Sequence, residues 1–276
     1  MLNHLALEEQ NVFIISDIHG MNDELQLLLT KVPKDTKVLF LGDYIDRGKY
    51  SKEVLDTVMS YVKEGKGYAI LGNHELMCLD AINESVSLPI LNHYLQVGGS
   101  ETIKSFTGIK FNKYKQHILE HLTEIKSEFN KEFSENGDYH EFIKNLPYFI
   151  TMGDLLFIHA GVSPYTESLE DIIDDDALWV RDEFHYNQHT LPYKVFFGHT
   201  IREYLPHIDL DLSIWVNPTR SKFGIDGGCF KGGYLNGVYI DMSTRMVTVH
   251  QAYKDFNGTL KHKLGDKEPF SLDSEV

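Results

Sequence analysis

The spacing of apolar and polar positions changes character along the chain. Val12 to Ile15 is a short, β-branched apolar run, which predicts a buried strand. Asn22 is placed to cap a helix, with Asp23 and Glu24 in a first turn where the helix dipole favours acids. Leu25, Leu28, Leu29 and Val32 then recur at helical spacing, and Pro33 closes the element. Lys37 to Leu41 reads as a second strand. Ser51 reads as the cap of a second helix, with Val54, Leu55, Val58, Met59 and Val62 on one face and an end near Gly65. Tyr68 to Leu71 reads as a third strand. Strands alternating with helices in this way predict an α/β fold with parallel strands and right-handed crossovers.

From about Gly99 to Leu146 the pattern becomes charged and helix-periodic. Between Asn112 and Phe133, the residues Ile118, Leu122, Ile125 and Phe129 fall on one stripe, which predicts a helical insertion over the sheet. Strands return at Tyr148 to Thr151, Leu155 to Ile158 and Val195 to Phe197. The segments LSIWVNP, GVYIDM and MVTVHQAY read as antiparallel strands and turns, and the polar residues from about Gly258 as a loose tail. No repeat or low-complexity segment interrupts the chain. The simplest organisation is one domain over residues 1–276, with the insertion at about 99–146.

Composition narrows the function classes. A chain of 276 residues with 42% hydrophobic and 24% charged residues has enough apolar surface for a sizeable core. Its 26 basic and 41 acidic residues give a formal charge of −15, which argues against nucleic acid or an anionic membrane held by bulk charge. Two cysteines, Cys78 and Cys229, exclude a disulfide scaffold and suit a reducing compartment. The N-terminal residues lack a basic stretch followed by an apolar one, and no apolar run approaches the ~20 residues of a bilayer span, so a soluble cytoplasmic protein is expected. Cys78 reads as a small packing residue, and Trp179 and Trp215 as core or cleft walls. The acidic run Asp174, Asp175, Asp176 reads as a solvated loop, and His117, His121 and His185 as surface residues.

Five apolar strand candidates end in a polar residue. VFIIS leads to Asp17 and His19, KVLFLG to Asp43, YAILG to Asn73 and His74, LLFI to His159, and VFFG to His199. Ligands of open α/β sheets bind at the carboxyl ends of the strands, so these side chains are expected to converge. A nitrogen and oxygen donor set without thiolate suits manganese, iron or zinc. Seven side chains exceed the needs of one ion once water is counted. Two ions sharing a carboxylate such as Asp43 is the economical arrangement, and such pairs clamp the attacking and leaving oxygens of an in-line displacement.

The segments SDIHG (16–20), GDYIDRG (42–48), GNHE (72–75), HAG (159–161) and GHT (198–200) resemble, in order, the motifs of the metallophosphoesterase superfamily. The resemblance is specifically to the phosphoprotein phosphatase family, in its phage-lambda-type and bacterial branch, whose LW-x-R pattern stands here as LWVR (178–181). It implies a central β-sandwich flanked by helices. It implies a first ion held by Asp17, His19 and Asp43, and a second by Asp43, Asn73, His159 and His199. Arg47 and Arg181, with Asn73 and His74, would bind phosphate oxygens. His74, oriented by Asp46, would be the acid at the leaving group. Two departures leave every ligand in place: Ser16 stands where the family usually has glycine, and HAG where eukaryotic members have HGG. The eukaryotic motif SAPNYCGEF has no counterpart, and GIDGGCFKGG occupies that region.

The expected activity is therefore a two-metal phosphomonoesterase acting on phosphoserine and phosphothreonine proteins or peptides, with phosphotyrosine a further candidate. Metal binding lowers the pKa of water from about 15.7 to about 7, so a hydroxide bridging two divalent ions would attack in line. Two alternatives remain open. One is a dinucleoside tetraphosphate or nucleotide hydrolase of the same superfamily, a branch that usually departs from the Asp46-Arg47-Gly48 pattern. The other is an inactive phosphoprotein-binding scaffold, which predicts missing ligands.

Overall fold

The computed structural model describes residues 4–83, 86–109, 118–135, 137–207, 212–266 and 268–273, without the side chains at 88 and 118–122. Thirteen strands are described: β1 His4–Leu7, β2 Val12–Ile15, β3 Lys37–Phe40, β4 Gly67–Ala69, β5 Phe149–Met152, β6 Leu155–Ile158, β7 Lys194–Phe197, β8 Trp215–Val216, β9 Lys222–Gly224, β10 Leu235–Asp241, β11 Met246–Lys254, β12 Leu260–Leu264 and β13 Phe270–Ser271. The α-helices are α1 Asn22–Leu29, α2 Ser51–Lys63, α3 Asn73–Ile82, α4 Leu88–Tyr94, α5 Ser100–Thr107, α6 Ile118–Asn130, α7 Tyr139–Lys144, α8 Asp174–Trp179 and α9 Asp182–Tyr186.

The strands form two sheets. One runs β12-β11-β10-β2-β3-β4, with β13 on β11; the other runs β1-β5-β6-β7-β9-β8. β2, β3 and β4 are parallel, as the strand–helix alternation predicts, and β6, β7 and β9 are parallel in the second sheet. Alternation along the strands sorts the side chains into layers. Val12, Ile14 and Leu39 meet Ile150, Leu155, Phe157, Phe196 and Phe223 between the sheets. Phe13, Ile15, Val38 and Phe40 point outward into Leu25, Leu28, Val54, Leu55 and Val58 of α1 and α2. Ile158, Val195 and Phe197 pack outward against Ala177 and Phe184 of α8 and α9. Strands buried on both faces read as continuous apolar runs, which explains why the sequence announced them. The architecture is the expected sandwich flanked by helices.

Several local expectations need correction. Neither Asn22 nor Ser51 is a cap: each is the first residue of its helix, behind Met21 and Tyr50. Asn22 Oδ1 accepts from Gln26, and Ser51 Oγ accepts the Asp46 N–H at 3.1 Å, so both oxygens are used elsewhere. The described part of the tail is not loose. β12 pairs with β11 from Lys254↔Leu260 to His250↔Leu264, and Leu272 is fully buried between the sheets. Its exposed, lysine-bearing pattern is that of an edge strand. Asp174, Asp175 and Asp176 are the first turn of α8. His185 is buried at 4% exposure, packed against Phe197, while His117 and the side chain of His121 lie outside the described residues. Trp215 is core, Trp179 is exposed, and Cys78 is fully buried in packing.

The helical stretch between β4 and β5 begins at Asn73, ahead of the expected insertion, and its stripe residues Ile125 and Phe129 are buried. Asn112 lies outside the described residues. The chain kinks between α4 and α5 at Gly98, whose φ of 127° is outside the helical range and suits glycine. Here the Gly98 carbonyl accepts the Arg47 N–H at 3.2 Å, which ties this stretch to the 42–48 loop.

Candidate metal and phosphate site

Every proposed ligand leaves the end of a strand: Asp17 and His19 after β2, Asp43 after β3, Asn73 after β4, His159 after β6 and His199 after β7. Asp17, His19, Asp43, Asp46, Arg47 and His199 all hold φ between 47° and 70°. Left-handed backbone costs a non-glycine residue about 1–2 kcal/mol, and such strain clusters where geometry matters for function. Two glycines make the turns possible. A Cβ on Gly72 would overlap Asp43 and Glu75, and one on Gly198 would overlap Ser16 and Asp17.

Two groups of donors share Asp43. In one, donor atoms of His19, Asp43 and His74 lie within 4.8 Å of one another; in the other, those of Asp43, His159 and His199 do. Asp43 Oδ2 stands 3.5 Å from His19 Nε2 and 3.9 Å from His74 Nε2, and Oδ1 stands 3.4 Å from His159 Nε2. Oδ1 also accepts the His74 N–H at the start of α3. Asn73 Oδ1 joins the second group, 2.9 Å from His159 Nε2 and 3.0 Å from His199 Nδ1. Asp17 lies beside the groups. Its carboxylate accepts the His199 N–H at 3.0 and 2.9 Å and the Ser16 hydroxyl at 2.6 Å.

The electrostatics invite a cation. Burial, then the charge of Asp17, pushes Asp43 well above the usual carboxylate range. Burial and Asp17 do the same to Asp226, which follows β9. Burial lowers His19, His74 and His199 well below the usual imidazole range, which keeps each ring neutral with one lone-pair nitrogen. His159 Nδ1 faces only the Leu41 carbonyl, at 2.8 Å, and so must donate to it. Its Nε2 then turns a lone pair toward two oxygens, on Asn73 and Asp43. His199 Nε2 is buried without a hydrogen-bond partner among the described residues. Lone pairs converging with no proton to share are what divalent ions satisfy, and the donor set fits two of them.

The phosphate-binding candidates flank these groups. Arg47 forks, Nη1 donating to His19 Nε2 at 2.8 Å and Nη2 to His74 Nε2 at 2.9 Å, under the Phe230 ring at 4.2 Å. Arg181 is exposed and donates to Thr200 Oγ1 at 2.8 Å and to the His199 carbonyl at 3.4 Å. His74 Nδ1 donates to Asp46 Oδ2 at 2.7 Å. Burial pushes Asp46 up to about 7, opposed by hydrogen bonds from Thr102 and Tyr94.

Five residues without an assigned role in the sequence reading shape the site. Glu75 accepts the N–H groups of Asp43, Tyr44, Ile45 and Gly72 at 2.8, 2.8, 3.3 and 3.2 Å, and burial pushes it up to about 8. Tyr94 and Thr102, from α4 and α5, donate to Asp46 Oδ1 at 3.0 and 2.6 Å. Asp226 and Phe230 come from GIDGGCFKGG. A carboxylate directly after a strand was the available signal for Asp226.

A two-sheet sandwich that delivers paired imidazole–carboxylate groups and two arginines to one edge defines a metal-dependent phosphoesterase. Residues 11–215 match the calcineurin-like phosphoesterase family, and the chain belongs to it. It is 28% identical over 270 residues to the asymmetrical bis(5'-nucleosyl)-tetraphosphatase PrpE of Anoxybacillus flavithermus, covering 87% of this chain and 95% of that one. It is 27% identical to the serine/threonine-protein phosphatase C23G10.1 of Caenorhabditis elegans over 165 residues, which are 58% of this chain and 29% of that one. The crystal structure of a mutant cold-active protein tyrosine phosphatase shares the fold, with a TM-score of 0.57 at 15% identity over 95% of this chain and 82% of that one. No described helix is long and apolar enough to cross a membrane.

Proposed function

We propose that this chain hydrolyses bis(5'-nucleosyl) tetraphosphates, the alternative in the sequence reading, in preference to phosphoproteins. The observation that carries this is the reach of the likeness: the tetraphosphatase relative is matched across 95% of its length, the protein phosphatase across 29%. In this reading Asp17, His19, Asp43, Asn73, His159 and His199 would hold two divalent ions, Asp43 being the residue common to both donor groups. When bound, such ions activate water and shield phosphoryl charge. Arg47 and Arg181 hold phosphoryl oxygens by charge-assisted hydrogen bonds as charge spreads over them in the transition state. His74 Nε2 faces the site, and Asp46 fixes the Nδ1 proton. An imidazolium formed at His74 is thereby stabilised and can return a proton to the leaving oxygen.

The leaving group separates the two substrate classes. A seryl alkoxide needs a proton donor worth roughly 10²–10⁴ in rate, whereas a polyphosphate leaves as an anion already stable near neutral pH. The second reading, a phosphoserine/phosphothreonine phosphatase, is favoured by the buried His74–Asp46 pair, which is built for a poor leaving group. The test is a manganese-supplemented panel of diadenosine tetraphosphate, phosphoseryl, phosphothreonyl and phosphotyrosyl peptides, with His74→Asn alongside. The tetraphosphatase reading expects the dinucleotide to have the highest kcat/KM, and His74→Asn to cost more on the phosphoseryl peptide. A preference for the peptides establishes the second reading instead.

A further inference from the structure

On a chain of net charge −15, one cavity beside the ligand cradle carries the opposite sign. It holds about 260 Å³ and is lined by Arg47, Lys49 and Lys254 against a single carboxylate, Glu24. Gly20 and Gly48, the last residues of SDIHG and GDYIDRG, line it where the two loops meet. A Cβ on either glycine would overlap the backbone of the other loop. The loops that carry Asp17, His19, Asp43 and Arg47 therefore fix the cavity too. Lys49, Glu24 and Lys254 fall outside all five motifs.

Arg47 belongs to both places. Its Nη1 and Nη2 reach His19 and His74 in the cradle, and the same side chain lines the cavity. Phe230 lies over the guanidinium and 5.1 Å from the His19 ring, so cradle and cavity share a wall. The other two cations are tied differently. Lys49 is exposed and forms no ion pair with a described residue. Lys254 donates to Asp23 Oδ2 at 2.8 Å and stands 3.8 Å from Glu24 Oε1. Glu24 is 2% exposed, a depth at which an acid is kept only beside a compensating charge. It offsets part of the attraction of Lys254 for an anion. Three cations against one carboxylate leave a net +2, which a phosphoryl dianion matches. Ammonium and guanidinium donors suit its oxygens.

We propose that this cavity is the site for a second phosphoryl group, joined to the reacting one through a bridging oxygen. Lys49 and Lys254 bind it, and Glu24 limits how tightly it is held. Taking that group as part of a phosphoanhydride rests on the tetraphosphatase reading; the anion site itself does not. The cavity makes a phosphoanhydride bind better than a phosphomonoester with the same reacting phosphorus. Lys49, Lys254 and Glu24 do this without touching that phosphorus, so they set specificity. The sign at Glu24 is the distinctive consequence. Removing this carboxylate strengthens binding of the second group, whereas removing the lysines weakens it.

The test uses two inhibitors of p-nitrophenyl phosphate hydrolysis by the manganese-loaded protein, at matched free manganese. Methylphosphonate carries one phosphoryl group. Methylenebisphosphonate carries two, across a carbon bridge that water does not cleave. Lys49→Gln combined with Lys254→Gln is expected to raise the bisphosphonate Ki about tenfold, the size of two exposed charge contacts. Glu24→Gln is expected to lower it about threefold, and Lys254→Arg to hold it within about twofold. The methylphosphonate Ki is expected to stay within about twofold throughout, which a merely structural role of these residues would not produce. KM for diadenosine tetraphosphate is expected to follow the bisphosphonate in each variant.

If both inhibitors weaken together, or if Glu24→Gln weakens the bisphosphonate, the second phosphoryl site is overturned. If the dinucleotide is cleaved while the bisphosphonate Ki ignores every variant, the site is overturned and the tetraphosphatase reading stands. If the dinucleotide is not cleaved but the Ki values shift as expected, that reading is overturned and the second phosphoryl site stands.

Discussion

The two donor groups that meet at Asp43 are held in opposite ways. In the His19–His74 group each imidazole has both nitrogens engaged: Nδ1 on the Ile45 carbonyl or on Asp46, and Nε2 on the fork of Arg47. In the His159–His199 group an amide oxygen faces both rings, and His199 Nε2 has no partner among the described residues. The first group keeps its geometry through acceptors at Nδ1 and a donor at Nε2 that the protein itself supplies. The second brings lone pairs together and depends on a cation to reconcile them. Neighbouring halves of one site can therefore differ in how much of their shape is built before any ion arrives.

The sharpest break of that contrast is at the shared ligand. Asp43→Asn should strip both ions and cut kcat/KM by well over the ~10²-fold typical of losing an outer-shell partner. His199→Ala should remove only the ion on its own side, leaving about one ion per chain by mass spectrometry of the metals. If His199→Ala empties both sides, the halves are not independent and the contrast fails.

The next largest effect concerns the loop under the first group. Glu75 gathers four backbone N–H groups there, and Glu75→Gln leaves a fully buried cluster short of acceptors, at a cost of about 1–3 kcal/mol read from urea unfolding. Burial raises Glu75 to about 8, against an unfolded carboxyl near 4.5. A raised folded value means this contribution is fully present below the unfolded value and lost as pH rises through 8. Chelated wild-type protein should lose stability between pH 5 and 8 more steeply than Glu75→Gln. Parallel pH profiles would show that Glu75 stays ionised throughout.

Legibility from sequence followed the same division between local and distant contacts. Five strand ends were readable because both faces of their strands are buried, so apolar runs stop abruptly at a polar ligand. The sixth, Asp226, was missed because β9 is three residues long and opens with Lys222. That lysine reads as exposed but is 1% exposed, with its ammonium on the carbonyls of Phe184, His185 and Asn187. Tyr94 and Thr102 reach Asp46 from 48 and 56 residues away, a contact that helical periodicity does not encode. Phe230 gains its role only because the turn after Gly228 folds it onto Arg47.

Phe230→Leu tests whether the first group relies on its arginine being held. Losing a partly buried cation–π contact is worth about 0.5–1 kcal/mol, so kcat/KM should fall roughly two- to fivefold on any phosphate substrate. Phe230→Trp should restore it, since indole is the better cation–π partner. Recovery with Leu but not Trp would reduce Phe230 to space-filling.

The smallest effect refines the acid–base pair. Asp46 must be ionised to hold His74, and it sits at about 7 because burial outweighs the hydrogen bonds from Thr102 and Tyr94. Activity on a phosphoseryl peptide should therefore decline as pH falls through that value. Thr102→Val removes a hydrogen bond that favours the charged carboxylate, so the acidic limb of the kcat/KM profile should move to higher pH. The plateau at alkaline pH should change little, because Asp46 is ionised there in both proteins. On diadenosine tetraphosphate, whose leaving group needs little protonation, the same limb should be shallower. An unshifted limb on both substrates would mean that the titrating group lies elsewhere and that the pair is not what sets proton delivery.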